Sequence, residues 1–135
     1  MTLKEHLLQI FTWWSGQTVG TRLWTARFGE VVGTDEFGNT YYRKPGIDPA
    51  LLFERRWVIF AREIEATTTP PGWYGWLNHT TDIPPTADNY VPREWEKPHL
   101  PNMTGTPDAY RPQGSTLKAG TRPRAGGDYG AWTPG

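Results

Sequence analysis

The three histidines are the first candidates for chemistry, because imidazole acts as a general base and is a common metal ligand. His6, His79 and His99 lie far apart, and none has a second ligand at metal-binding spacing. The chain has no cysteine, which excludes disulfides, Cys-ligated zinc, thiolate-held iron–sulfur clusters and a Cys nucleophile. The sequence therefore predicts no metal centre.

Carboxylates and hydroxyls with catalytic spacing are equally scarce. Glu63 and Glu65 would share one face of a strand, where a solvated face is the simpler interpretation. A glycosidase would need a larger cleft around two such carboxylates than so small a core supplies. Ser15 and Ser115 lack a nucleophile elbow, and no Gly-Lys-Ser/Thr follows Gly16-x-x-x-Gly20. The residues therefore predict a non-enzymatic interaction protein.

Charge and hydropathy exclude two further classes of protein. The 14 basic and 14 acidic residues balance, whereas a nucleic-acid binder needs a basic excess. The longest apolar run, Trp57–Ala61, is far shorter than the ~20 residues that span a bilayer. Neither a signal peptide nor a transit peptide is recognisable at the start of the chain.

The N-terminal residues predict an amphipathic helix. Thr2 and Glu5 have the spacing of a capping box, and Ser15-Gly16 ends the pattern. The apolar positions fall on one face: Leu3, Leu7, Ile10, Phe11 and Trp14. This face could dock on the rest of the domain, on a partner or at a membrane surface, although the helix has few cations for membrane anchoring.

Residues 17–62 predict a small antiparallel sheet. Its strands are expected at residues 28–33, 40–43 and 56–62. Gly38 and Asn39 suit positive φ in the first turn, and a loop is expected around Pro45-Gly46. The overall prediction is an α+β fold.

A short helix is predicted at residues 70–79, since Pro71 suits its first turn. Trp73, Trp76 and Leu77 would share one of its faces. Aliphatic residues are scarce, so tryptophans are expected to fill the core of the domain: Trp24, Trp57, Trp73 and Trp76.

The two parts of the chain differ in composition. Leu, Ile and Val total 19, of which 16 lie in residues 1–83, whereas residues 84–135 hold 9 of the 13 prolines. The second part keeps several aromatic residues, unlike most disordered segments. We therefore expect a folded domain at 1–83 and, at 84–135, an extended partner-binding tail with little regular structure, here named the strap.

Four blocks of sequence occur in an order that resembles a known family. They are Gly33–Tyr42 (GTDEFGNTYY), Arg55–Val58 (RRWV), Pro70–Pro85 (PPGWYGWLNHTTDIPP) and Asn102–Tyr110 (NMTGTPDAY). Together they resemble subunit 12 of the NADH dehydrogenase (ubiquinone) 1 alpha subcomplex, an accessory subunit of respiratory complex I. The resemblance covers residues 1–112 and is closest to a bacterial, alphaproteobacterial-type member.

The resemblance implies a non-catalytic subunit that binds no cofactor and is not a homo-oligomer. It implies contacts with core subunits of the peripheral arm, including the ferredoxin-like iron–sulfur subunit near the quinone module. The implied role is stability or assembly of that arm, on the cytoplasmic face of the bacterial inner membrane or, in a mitochondrion, on the matrix face.

Aromatic residues are the expected partner contacts, since Trp, Tyr and Arg carry most interface energy. We name the following the anchor residues: Trp13, Trp14, Trp73, Trp76, Tyr90, Trp95 and Tyr110. Two alternatives remain at this point. One is a transient complex I assembly factor of the same family, and the other is an unrelated carbohydrate- or peptide-binding module that uses exposed tryptophans.

Overall fold

The computed structural model describes residues 3–11, 16–62, 64–118, 120–121 and 132–135. The fold is α+β, as predicted. Its elements are α1 (Leu3–Phe11), α2 (Val19–Phe28), β1 (Glu30–Thr34), β2 (Thr40–Ile47), β3 (Glu54–Ile59), a 3-10 turn (Ala66–Thr68) and α3 (Pro71–Leu77). The chain forms two compact units, Met1–Pro101 and Asn102–Gly135. The functional division at residue 83 stays a prediction.

The sheet is three-stranded and antiparallel in the order β1-β2-β3. Tyr41 lies opposite Val58, and Tyr42 lies opposite Trp57. Because successive side chains alternate between faces, the first pair shares the face that α3 covers, and the second pair lies on the face toward α2. The sheet therefore separates two helices.

Several strand boundaries differ from the prediction. β1 begins at Glu30 rather than at residue 28, because Phe28 ends α2, and β3 begins at Glu54 rather than at residue 56. β2 continues through Pro45-Gly46 to Ile47, where a loop was expected, because a register shift between Lys44 and Ile47 accommodates both residues. β3 ends at Ile59 rather than at residue 62. Beyond that end, the backbone N–H of Ala61 donates to Asn39 Oδ1 and not to a strand.

The prediction that residues 17–62 form only sheet was wrong for Val19–Phe28, which is the helix α2. Its composition carries little amphipathic signal, but both caps are present. Thr18 Oγ1 accepts from the Thr21 N–H at 3.2 Å, and the Gly29 N–H donates to the Thr25 carbonyl at 2.8 Å. These two capping hydrogen bonds therefore mark the ends of a helix that the spacing of apolar residues did not predict.

Aromatic stacking forms the core. The Tyr41 ring stacks on Trp73 at 4.0 Å, and Trp76 meets the Tyr41 ring edge-on at 6.5 Å. Trp73 and Trp76 are 4% and 2% exposed, which confirms their predicted core role. Trp24 does not share it, because this residue is 39% exposed. Trp57 is half-buried and donates its indole N–H to Thr25 Oγ1 at 3.0 Å.

One carboxylate organises the turn between β1 and β2. Asp35 accepts from the backbone N–H groups of Phe37 and Asn39 at 2.9 and 3.0 Å, and from the Tyr41 hydroxyl at 2.8 Å. Burial, followed by the nearby Asp35, raises the pKa of that hydroxyl. Gly38 adopts the expected positive φ of 86°. Asn39 does not have a positive φ; its buried side chain donates to Asp35 and accepts from the Ala61 N–H.

Candidate partner-binding surfaces

Arg56 connects β3 to the end of α3. Its guanidinium donates to the Trp76 carbonyl at 2.7 Å, to the Thr81 carbonyl at 3.1 Å and to Asp82 at 2.7 Å. It also pairs with Glu54 at 3.2 Å, and its side chain is only 5% exposed. One arginine therefore fixes the position of α3 and of the loop that follows it.

The first residues of the strap lie on the folded unit. A Cβ atom at Gly33 would stand 2.7 Å from Thr86 Cγ2, and one at Gly72 would stand 3.0 Å from Pro85 Cγ. Farther along, His99 Nε2 lies 2.6 Å from the Thr67 carbonyl oxygen. Strap residues as far as His99 therefore belong to the compact unit Met1–Pro101 and pack within it, well beyond residue 83.

The anchor residues divide into three groups. Trp73 and Trp76 are core residues, so their side chains offer almost no surface to a partner. Trp13 and Trp14 lie outside the described residues. The remaining three are exposed in the strap: Tyr90, Trp95 and Tyr110.

These three exposed aromatics differ in the neighbouring side chains that contact them. The Tyr90 hydroxyl donates to Glu96, and that hydrogen bond raises the pKa of Tyr90. The Arg93 guanidinium lies 5.9 Å from the Trp95 ring centre. Trp95 is 72% exposed and Tyr110 87% exposed. All three side chains are accessible to another molecule.

A groove that the sequence did not predict runs beside β3. It has a volume of about 800 Å3, and its walls include Thr21, Trp24, Leu51, Phe53, Leu77 and His79. We name it the edge groove. The run Leu51-Leu52-Phe53 was an available signal, because three consecutive apolar residues in a loop are unusual in a soluble domain.

Cations border one wall of the edge groove. Lys44 Nζ lies 5.4 Å from the ring centres of both Trp24 and Phe28, and the Arg55 guanidinium lies 6.0 Å from that of Trp24. Arg55 also pairs with Asp48 at 2.6 Å. This bond and the Ala50 N–H lower the pKa of Asp48. The wall is both apolar and basic, which suits a ligand that has apolar groups and a negative charge.

Within the described ranges, no group of three His, Cys, Asp or Glu side chains is arranged to hold a metal ion. No helix in the same part of the chain has the length and apolarity to cross a bilayer.

Comparison with known proteins gives consistent matches. The profile of the family described as NADH ubiquinone oxidoreductase subunit NDUFA12 matches residues 29–134. The chain is 38% identical over 104 residues to NADH dehydrogenase (ubiquinone) 1 alpha subcomplex subunit 12 of Bos taurus, an alignment that covers 68% of each chain.

Two further relatives extend the comparison. An uncharacterized protein of Rickettsia prowazekii is 43% identical over 58 residues, which are 42% of this chain and 58% of that protein. NADH dehydrogenase (ubiquinone) 1 alpha subcomplex assembly factor 2 of Mus musculus is 33% identical over 93 residues, which are 62% of this chain and 54% of that protein. The resemblance inferred from the four sequence blocks is confirmed, and the chain belongs to the NDUFA12 family of NADH ubiquinone oxidoreductase subunits.

Proposed function

We propose that this chain is a non-catalytic accessory subunit of a proton-pumping NADH:quinone oxidoreductase and stabilises its peripheral arm near the quinone module. The supporting observation is an imbalance in burial. The buried hydrophobic core of the described residues consists of Tyr41, Trp73 and Trp76, whereas many large apolar side chains are exposed. A chain with this distribution gains stability by burying those side chains against partners.

The proposed partners are core subunits of the peripheral arm, including the ferredoxin-like iron–sulfur subunit. Trp95 and Tyr110 are the proposed contacts, together with Tyr90, because exposed aromatic side chains contribute strongly when they are buried at an interface. Prolines in the strap reduce its ordering cost, since their φ is already fixed. Trp13 and Trp14 remain proposed contacts on their sequence pattern alone.

We further propose that α1 lies against a partner or at the membrane surface. Leu3, Ile10 and Phe11 are all exposed on this helix. The location proposed for the assembled protein is the cytoplasmic face of a bacterial inner membrane. An amphipathic helix beside a membrane-bound complex would lie within reach of both lipid and protein.

We propose a permanent subunit rather than an assembly factor. The alignment with the bovine subunit is 38% identical and covers 68% of that protein, against 33% and 54% for the mouse assembly factor. The two roles predict different distributions among complexes. Quantifying the chain in mature and partially assembled complex I on native gels separates them. A subunit is present in the mature complex in stoichiometric amount, whereas a chain found only in partial complexes would indicate an assembly factor.

Truncation tests the strap. The cut should follow Pro101 rather than residue 83, because Thr86 and Pro85 cover parts of Gly33 and Gly72. We expect residues 1–101 to keep the sheet and α3 and to incorporate poorly into complex I. The point variants Trp95→Ala and Tyr110→Ala should reduce incorporation, whereas Leu117→Ala, also exposed in the strap, is the matched control. Normal incorporation of the truncated chain would contradict a binding role for residues 102–135.

A further inference from the structure

The outer edge of β3 faces the edge groove. β3 pairs with β2 on one side, and no other strand pairs with its second side in the described part of the chain. Arg55, Arg56, Trp57 and Val58 all line the edge groove. Since consecutive strand residues point to opposite faces, a groove lined by all four includes the strand edge itself.

We propose that this edge accepts an extended segment of a neighbouring protein as a fourth strand of the sheet. The inference rests on the proposed function, since it names the kind of segment that a complex I partner would supply. In an antiparallel ladder, alternate residues direct their N–H and C=O groups away from the paired strand. About half of the β3 residues therefore present backbone groups to an incoming strand. Such strand addition supplies affinity through main-chain hydrogen bonds.

The two walls of the edge groove match the alternation of an added strand. On the α2 side, the wall contains Trp24 and Thr21. On the α3 side, it contains Leu77 and His79, whose ring contacts Phe53 at 4.3 Å between centres. Side chains at odd positions of the segment would meet one wall and those at even positions the other, so both sets have an apolar surface to contact.

The charged residues around the edge groove indicate which side chains the added segment carries. The charged residues lining the edge groove are Arg55 and Arg56, and its lining contains no Asp or Glu. Lys44 stands beside Arg55, over Trp24, and makes no ion pair within the described residues. Arg55 is already paired with Asp48, and Arg56 with Glu54 and Asp82. Lys44 is therefore the cation that remains for the segment, which we expect to carry apolar side chains and one carboxylate. A second copy of this chain fits less well, because full antiparallel overlap of two β3 strands would place Arg55 opposite Val58 and Arg56 opposite Trp57, and neither arginine would face a carboxylate.

Hydrogen exchange tests the added strand in the assembled complex. In the purified full-length chain, about three amides of residues 54–59 should exchange slowly, since β2 protects alternate positions. In purified complex I that contains the chain, about six should be slow. If the chain copurifies with complex I but residues 54–59 exchange as in the isolated chain, strand addition is refuted and the proposed function stands. If it never copurifies, the proposed function itself fails.

Variants at two neighbouring residues distinguish an effect of the edge groove from the general effect of a new surface charge. Leu51→Asp places a carboxylate on the wall, whereas Leu52→Asp alters a neighbouring residue that is more exposed and does not line the groove. We expect Leu51→Asp to lower retention in complex I at least about tenfold after a salt wash, because it removes an apolar contact and places a carboxylate beside the carboxylate of the bound segment. Leu52→Asp should be retained normally. Equal retention of the two variants would refute the proposal.

Photo-crosslinking identifies the occupant. A benzoylphenylalanine replacing Phe53 in the assembled protein should crosslink to one mapped peptide of a different complex I subunit, with apolar residues and a carboxylate. Crosslinks to lipid, to a second copy of this chain or to residues 122–131 of the same chain would each overturn the proposal, as would the absence of any crosslink.

Discussion

Replacing Arg56 by methionine should destabilise the fold by about 3 kcal/mol, because several bonds of one buried guanidinium are lost together. Arg56 donates to the Trp76 and Thr81 carbonyls and pairs with Glu54. Methionine keeps an apolar stem of similar length over the Trp76 ring but supplies no donor. The variant therefore isolates the polar role of Arg56 from its packing.

The size of this loss of stability follows from how exposed each hydrogen-bond partner of Arg56 is. The Trp76 carbonyl still accepts from the His79 N–H at 3.2 Å, whereas the Thr81 carbonyl loses a charged donor. Each hydrogen bond to a charged group is worth about 1.5–3 kcal/mol, and loss of the cation over the Trp76 ring, 4.8 Å away, costs about 0.5–1 kcal/mol more. Asp82 is 88% exposed, so its pair with Arg56 adds less than ~1 kcal/mol.

Arg55→Met is the matched control, since it changes the adjacent residue in the same way. Arg55 is 44% exposed and forms one ion pair, with Asp48. Losing this ion pair should lower the free energy of unfolding by about 1 kcal/mol or less. The loss of stability caused by Arg56→Lys should lie between the losses caused by the two methionine variants. One ammonium group keeps the charge but cannot reach all the acceptors of the planar guanidinium.

Urea denaturation of the full chain, followed by tryptophan fluorescence, measures these differences as shifts in the midpoint. Trp73 and Trp76 report directly because they are core residues. If Arg56→Met costs no more than Arg55→Met, the guanidinium does not hold α3 in place, and the reasoning from its burial is refuted.

Three further predictions concern packing and titration. Gly33→Ala should cost about 1–3 kcal/mol, because the added Cβ atom would lie 2.8 Å from Trp73; an unchanged urea midpoint would contradict this. Gly20→Ala should instead stabilise the chain by about 0.5–1 kcal/mol, since Gly20 lies in α2 and the nearest atom would be 3.8 Å away; a lower midpoint would contradict it. The raised pKa of Tyr41 makes its neutral hydroxyl stabilising below its unfolded value of 10.0, and this contribution is lost as the pH rises from there through the folded-state pKa. Stability measured against pH should therefore fall less steeply above pH 10 in Tyr41→Phe, and an identical slope would contradict the assignment.

Much of the fold could be predicted from local sequence. The three strands, the turn at Asp35–Asn39 and the helix beginning at Pro71 were all predictable, because β-forming runs and turn residues act over a few positions. α2 was not, since its apolar residues lack a clear helical period. Its caps, Thr18 and Gly29, were the readable signal.

Less of the partner-binding surface could be predicted. Counting aromatics identified Trp95 and Tyr110 as candidates, and both are exposed. The same count also selected Trp73 and Trp76, because composition does not distinguish a core ring from a surface ring. The edge groove had no sequence prediction, since its walls come from α2, the loop at Leu51–Phe53 and α3.

The sequence by itself determined the class of protein. It has no cysteine, no catalytic constellation and an aliphatic-poor strap, and its four ordered blocks identify the family. Only the tertiary structure decided which tryptophans form the core and which surface remains open. Tyr41 and Trp73 meet because the sheet brings β2 under α3. Among the described residues, β3 is the last strand of the sheet, so no strand pairs with its outer edge. Such contacts depend on residues distant in the chain, so local patterns do not encode them.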